Sequence, residues 1–204
     1  MSVQNKIDNF RNFLRFPLFL IGFIFINGFF SFSAFAQTII SNEERKLFTT
    51  IESLEPLGVV YENASAGEEI EKEDYGDGSL LYTYEFKDSD LWLHELVWIE
   101  SSAQAANFTY EAYGEASKTY LSEGLILSAF RVINLENSNA DVVVADVYND
   151  KQKRVGMIVR FKERNVSGMM ILIGMEFQEK VMEKFLNTEF QKMNQTCSKL
   201  SLWR

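Results

Sequence analysis

Four apolar or alternating stretches, at about 125–134, 141–148, 154–163 and 168–177, are joined by short polar links. The links are Asn137-Ser138-Asn139, Asn149-Asp150-Lys151-Gln152 and Arg164-Asn165-Val166-Ser167-Gly168. A parallel crossover needs a dozen or more residues, so strands joined this tightly must be antiparallel neighbours. This spacing predicts a C-terminal four-strand meander.

Upstream, residues 59–86 read as strands around a polar turn. Val59-Val60-Tyr61 is a short extended piece, and the acidic stretch Gly67–Asp74 reads as part of the turn, with Gly76-Asp77-Gly78 as a hairpin signal. Leu80, Tyr82, Tyr84 and Phe86 then alternate along one strand face. After a turn at Lys87–Asp90, the strand Leu91–Ile99 is apolar on both faces and is predicted to be central and covered on both sides.

Helices fit three places. Ser41–Leu54 has acids in its first turn and a stripe at Leu47, Ile51 and Leu54. Ser101-Ser102-Ala103-Gln104 fits a capping box for a helix reaching about Leu121, with Ala106, Tyr110, Tyr113, Ser117 and Tyr120 on one stripe, Gly114 as an interruption and Gly124 as the stop. Gln178–Asn194 carries Met182, Phe185, Leu186, Phe190 and Met193 as a core stripe, followed by a tail expected to fray. The order predicts an α+β fold: one antiparallel sheet of about five to seven strands with packed helices. It resembles PsbP-like αβα sandwiches and, less closely, START-like helix-grip folds that hold apolar ligands.

Residues 1–36 differ in kind from the rest. They hold ten of the 18 Phe. Lys6, Arg11 and Arg15 precede 21 uncharged residues, Phe16–Ala36, which end in Ala34-Phe35-Ala36. A basic n-region, an apolar run and a small-x-small ending read as a signal peptide cleaved before Gln37. The alternative is an uncleaved anchor, since 21 residues suffice for a span. Either way the basic end stays cytoplasmic and residues 37–204, read as one domain, are delivered outside, to the periplasm or beyond. The Phe-rich run suits a bacterial signal. Asn-x-Ser/Thr sites at Asn63, Asn107, Asn165 and Asn194 would be glycan acceptors only on a eukaryotic route.

Residues 37–204 hold 17 Lys and Arg against 28 Asp and Glu, a net charge of −11. That charge repels phosphates and argues against a nucleic-acid partner. One His forbids any chemistry needing two, and no phosphate loop, Cys pair or nucleophile elbow is present. No cofactor or metal is implied. The acidic run Glu68–Asp77 fails an EF-hand test, with Tyr75 and Tyr84 where carboxylates belong. It reads as a solvated hairpin or a docking surface for a basic partner. Cys197 is alone: either a buried thiol or one half of an interchain disulfide.

The pattern points to a non-catalytic extracytoplasmic binding module for a protein partner or an apolar small molecule, such as an immunity protein or an envelope-assembly factor. A groove is expected where the Ala106–Tyr120 stripe crosses the Trp92–Trp98 strand face, with Gly156 and Gly174 leaving room. Its candidate lining is Trp92, His94, Trp98, Tyr110, Tyr113 and Asp146. Arg160, Lys162 and Glu176 are further polar residues on the meander whose register sets whether they face inward. The competing reading is a small hydrolase using His94 with Asp146 or Glu95.

Overall fold

The computed structural model describes residues 40–59, 67–118, 125–136, 138–175 and 178–203. Residues 1–36, expected to be a signal peptide, and Val60-Tyr61, Asn63, Tyr120, Gly124, Asn137 and Glu176 lie outside the described residues.

Among the described residues, eight strands form one antiparallel sheet. They are β1 (Glu68–Asp74), β2 (Leu80–Lys87), β3 (Trp92–Ile99), β4 (Ile126–Leu127), β5 (Arg131–Ile133), β6 (Asp141–Tyr148), β7 (Arg154–Glu163) and β8 (Val166–Ile173). Their order across the sheet is β1-β2-β3-β8-β7-β6-β4, with β5 also pairing with β6. The C-terminal meander is present, its first strand split into two short pieces along the edge of β6. Helix α1 (Ala103–Lys118) packs on one face, over β7 and β8. Helix α2 (Glu179–Lys199) and two 3-10 turns, Glu44–Leu47 and Ile51–Leu57, cover the other.

Alternation along the strands sorts residues between the two faces. The α2 face holds the larger core, from Tyr82, Tyr84, Phe86, Leu93, Val97, Val144, Val159, Phe161, Met170 and Leu172 to the helix stripe Met182, Phe185, Leu186, Phe190 and Met193. Phe161 and Phe190 meet edge to face at 4.9 Å. The α1 face gathers Leu81, Trp92, Leu96, Ile158, Met169 and Ile171, with Trp98 and Tyr113 against them. As its bipolar apolar pattern implies, β3 is interior and nearly all buried.

Four local expectations are corrected. The single helix over 41–54 is two 3-10 turns separated by extended residues, with Phe48 at ψ 155 and Thr50 at ψ 167. The β-branched pair Thr49-Thr50 favours this break, and Thr50 caps the second turn through Ser53. Leu47, Ile51 and Leu54 still face the core. The acidic stretch before Asp74 is the edge strand β1, not a turn. It is admitted to the sheet because Glu68 and Lys72, on the α2 face, are paired with Arg45 and Glu44, both at 2.6 Å. Helix α2 runs on to Lys199 instead of fraying, and Cys197 within it is fully buried. Burial pushes that thiol up to about 12, which suits the buried-thiol reading and not an interchain bridge. Finally, β8 begins at Val166, so the link from β7 is only Arg164-Asn165, with Arg164 at φ 52.

Asn165 is fully buried, its amide donating to the carbonyls of Glu100 and Leu202, which leaves no room for a glycan. No described helix is long and apolar enough to cross a membrane.

Candidate functional site

The hairpin register places Glu85 opposite His94. Both are nearly buried on the α1 face, at 8% and 9% exposure. The Trp92 indole N–H donates to Glu85 Oε1 at 3.1 Å, and the Trp92 ring stacks on His94 with centroids 5.8 Å apart. Glu85 is a member of this cluster that sequence reasoning missed. The signal was available: a short link at Asp88–Leu91 pairs Lys87 with Trp92 and hence Glu85 with His94. Asp88 builds that link, its Oδ1 accepting the Asp90 and Leu91 amides at 2.7 and 2.8 Å.

Trp98 lies on the same face four residues on, about 13 Å along the strand. It stacks on Tyr75, not on His94, with centroids 5.1 Å apart and the rings tilted by 33°. Tyr75 projects from the β1–β2 turn, is 47% exposed, and donates its hydroxyl to Glu73 at 2.8 Å. Helix α1 begins where Ser102 Oγ accepts the Ala105 amide at 3.1 Å, and it carries Tyr113 to Trp98. The Tyr113 hydroxyl lies beside the Trp98 indole without a well-aligned hydrogen bond. Burial drives its ionisation far above the ordinary range, with the Glu100 carboxylate adding to the effect. Ser167, the cross-strand partner of Trp98, is fully buried with its Oγ unbonded among the described residues. Two buried hydroxyls without partners next to a half-exposed aromatic pair are uncommon, because such groups cost free energy.

Tyr110 belongs to a separate arrangement. Its ring lies 4.9 Å from the Arg160 guanidinium, which also sits 4.4 Å from Phe130 and donates to the Tyr110 carbonyl at 3.2 Å. Lys162 is held by Asn107 at 2.9 Å and Asp141 at 3.2 Å. Arg160 and Lys162 therefore occupy the α1 face, under the helix. A Cβ at Gly114 would fall 2.3 Å from Arg160 Nη1, so this glycine lets the helix close over the guanidinium.

Asp146 is on the opposite face. Its carboxylate is held by Arg131 at 3.1 Å and Arg154 at 3.6 Å, and Arg131 also reaches Glu179 at the start of α2 at 3.3 Å. The six residues expected to line one groove are thus distributed. Trp92 pairs with His94, Trp98 with Tyr113, Tyr110 with Arg160, and Asp146 sits apart. The glycines leave no groove between them. A Cβ at Gly156 would lie 2.0 Å from the Leu172 carbonyl oxygen, and one at Gly174 1.8 Å from that of Asp90. The space expected at these positions is filled by neighbouring backbone.

The same alternation separates His94 from the carboxylates expected to serve it. Glu95 points to the α2 face because it is the next residue, and Asp146 lies on that face three strands away. No three His, Cys, Asp or Glu side chains cluster as a metal site among the described residues.

No family model matches the chain, and no curated protein sequence matches it. Among solved structures it is similar to the extracellular domain of PknH from Mycobacterium tuberculosis. The TM-score is 0.43 and the identity 9%, over 78% of this chain and all of that one.

Proposed function

We propose that residues 37–204 are a non-catalytic binding module working outside the cytoplasm, in the periplasm or secreted. The export reading rests on the basic start, uncharged run and Ala-Phe-Ala ending of residues 1–36. The binding surface is the end of the α1 face where Tyr75, Trp98 and Tyr113 meet, and its partner is a protein segment or an apolar small molecule. One observation carries this reading: a half-exposed Tyr75–Trp98 stack beside two buried hydroxyls, of Tyr113 and Ser167, that have no bonded partner among the described residues. Aromatic rings with polar tips are the side chains that interfaces favour. Catalysis at His94 is the weaker reading, because Glu85 and His94 are both nearly buried and neither Asp146 nor Glu95 reaches the imidazole.

The test is affinity capture from the native envelope, read by mass spectrometry of both proteins and lipids, with wild type beside Tyr75→Ala. Tyr75 is exposed enough that its loss leaves the fold intact. A species enriched by wild type and lost with Tyr75→Ala supports the surface. Equal enrichment by both places binding elsewhere. N-terminal sequencing of the exported form tests the location, with Gln37 as the expected first residue.

A further inference from the structure

The α2 face contains one carboxyl group in the middle of its apolar core. Glu95 is 4% exposed on the interior strand β3 and lines a cavity of about 10 Å³, room for about one water. The cavity is lined by Leu47, Phe48 and Thr49 from the segment 44–57, and by Leu186, Glu189 and Phe190 from α2. Its floor on β7 and β8 is Val159, Phe161 and Met170, with no charge among them. A space this small holds no substrate.

Segment 44–57 lies over this carboxyl like a strap, held at three backbone points by side chains. The Thr49 amide donates to Glu95 Oε2 at 2.7 Å. The Ile51 amide donates to the hydroxyl of Tyr84 at 2.9 Å, and Tyr84 is the cross-strand partner of Glu95. From α2, Lys192 Nζ donates to the Phe48 carbonyl at 2.8 Å and to Ser53 Oγ at 3.2 Å, and it also binds Glu189. The extended break between the two 3-10 turns is where these anchors fall.

We propose that segment 44–57 is a proton-operated latch: a protonated Glu95 holds it closed on the sheet, and ionisation of Glu95 releases it. The physical cause is placement. An ionised carboxylate here has lost its water and faces the carboxylate of Glu189 across the cavity. The nearby cation, Lys192, is already engaged by Glu189 and the strap. The other titratable neighbour, Tyr84, keeps its proton, donated to Glu68 at 2.8 Å, and Glu68 is itself paired with Arg45. Burial pushes the Glu95 carboxyl up to about 8, opposed by the Thr49 amide and hydroxyl and by the Lys192 ammonium, and assisted by Glu189. Opening the strap returns the carboxyl to water and to its ordinary value of 4.5. Between these two values the open state binds fewer protons, so the latch weakens as pH rises and levels off above about 8.

Hydrogen exchange tests this on the protein as cells export it. After correction for intrinsic rates, exchange of the strap amides, Thr49 and Ile51 above all, should rise up to about tenfold per pH unit between pH 5 and pH 8 and then level. Amides of β8 should not follow. Glu95→Gln keeps the acceptor oxygen and removes the titration, so its strap should stay closed throughout. Glu189→Gln should lower the pH at which the rise levels off. Strap exchange with no pH dependence, an equal dependence in Glu95→Gln, or β8 amides rising in parallel would overturn the latch.

Discussion

The two faces of the sheet are built from the same strands and differ in what they bury. On the α2 face, bulky apolar side chains interlock with a long helix, with Glu95 buried among them. On the α1 face, the apolar cluster is smaller and is interleaved with Glu85, His94, Arg160 and Ser167; His94 stacks on Trp92, and Arg160 lies over Tyr110 and Phe130. Strand β3 shows the difference within eight residues, placing Leu93, Glu95 and Val97 to one side and Trp92, His94 and Trp98 to the other. The lesson is a division of labour. The α2 face buries the larger apolar cluster, while the α1 face buries polar and aromatic groups together, two of its hydroxyls, of Tyr113 and Ser167, without a bonded partner among the described residues.

The largest effect should follow from emptying the closed face. Phe190→Ala removes the ring that meets Phe161 and should cost about 3–5 kcal/mol, measured by denaturant unfolding. A loss below about 1 kcal/mol would mean that the helix does not seal the face as described.

Next is a change where neither face can yield. Gly174 has φ +105, and a Cβ there would meet the Asp90 backbone. Gly174→Ala should destabilise by at least about 1–3 kcal/mol, since backbone cannot move aside as a side chain does. A neutral result would restore the open space that the sequence suggested at this position.

Much of this was legible in the chain. The short links among 134–168 dictated antiparallel neighbours, and the double-sided apolar pattern of 91–99 placed β3 in the interior. What escaped was set by tertiary partners. β1 looked like a polar turn because its charges are matched only by Arg45 and Glu44, distant in sequence. The apolar stripe at Leu47, Ile51 and Leu54 is legible in the sequence and faces the core, yet the helix breaks because Glu95 and Lys192 hold its backbone at Thr49 and Phe48. The candidate site was half visible. Trp98 and Tyr113 do meet, but Asp146 could be assigned a face only once the register of β6 against β7 was known.

The closed face should also reveal itself through pH. Glu44, at its rim, is opposed by burial but held down to about 2 by Lys72, Ser41 and Tyr82. Its folded value lies below its ordinary 4.5, so it contributes stability above about pH 4.5 that is lost as pH falls toward 2. Glu95 has the opposite sign: its contribution is full below about pH 4.5 and is lost as pH rises to about 8. Thermal unfolding against pH should therefore have a shallower acid-side slope in Glu44→Gln and become flatter between pH 5 and 8 in Glu95→Gln. Unchanged profiles in both variants would contradict the two assignments.

The smallest effect on stability should come from the half-exposed stack at the end of the α1 face. Tyr75→Ala should cost no more than about 1 kcal/mol, because the ring is about half exposed and is covered only by Trp98. A loss as large as that of Phe190→Ala would make the Tyr75–Trp98 stack a structural element and erase the contrast.

The most direct test measures melting temperature and envelope capture side by side in Trp98→Ala and Phe190→Ala. Phe190→Ala should lower the melting temperature steeply while capture per folded molecule is unchanged. Trp98→Ala should lower capture with a much smaller thermal loss. Equal thermal losses, with capture per folded molecule intact in Trp98→Ala, would contradict the contrast between the faces.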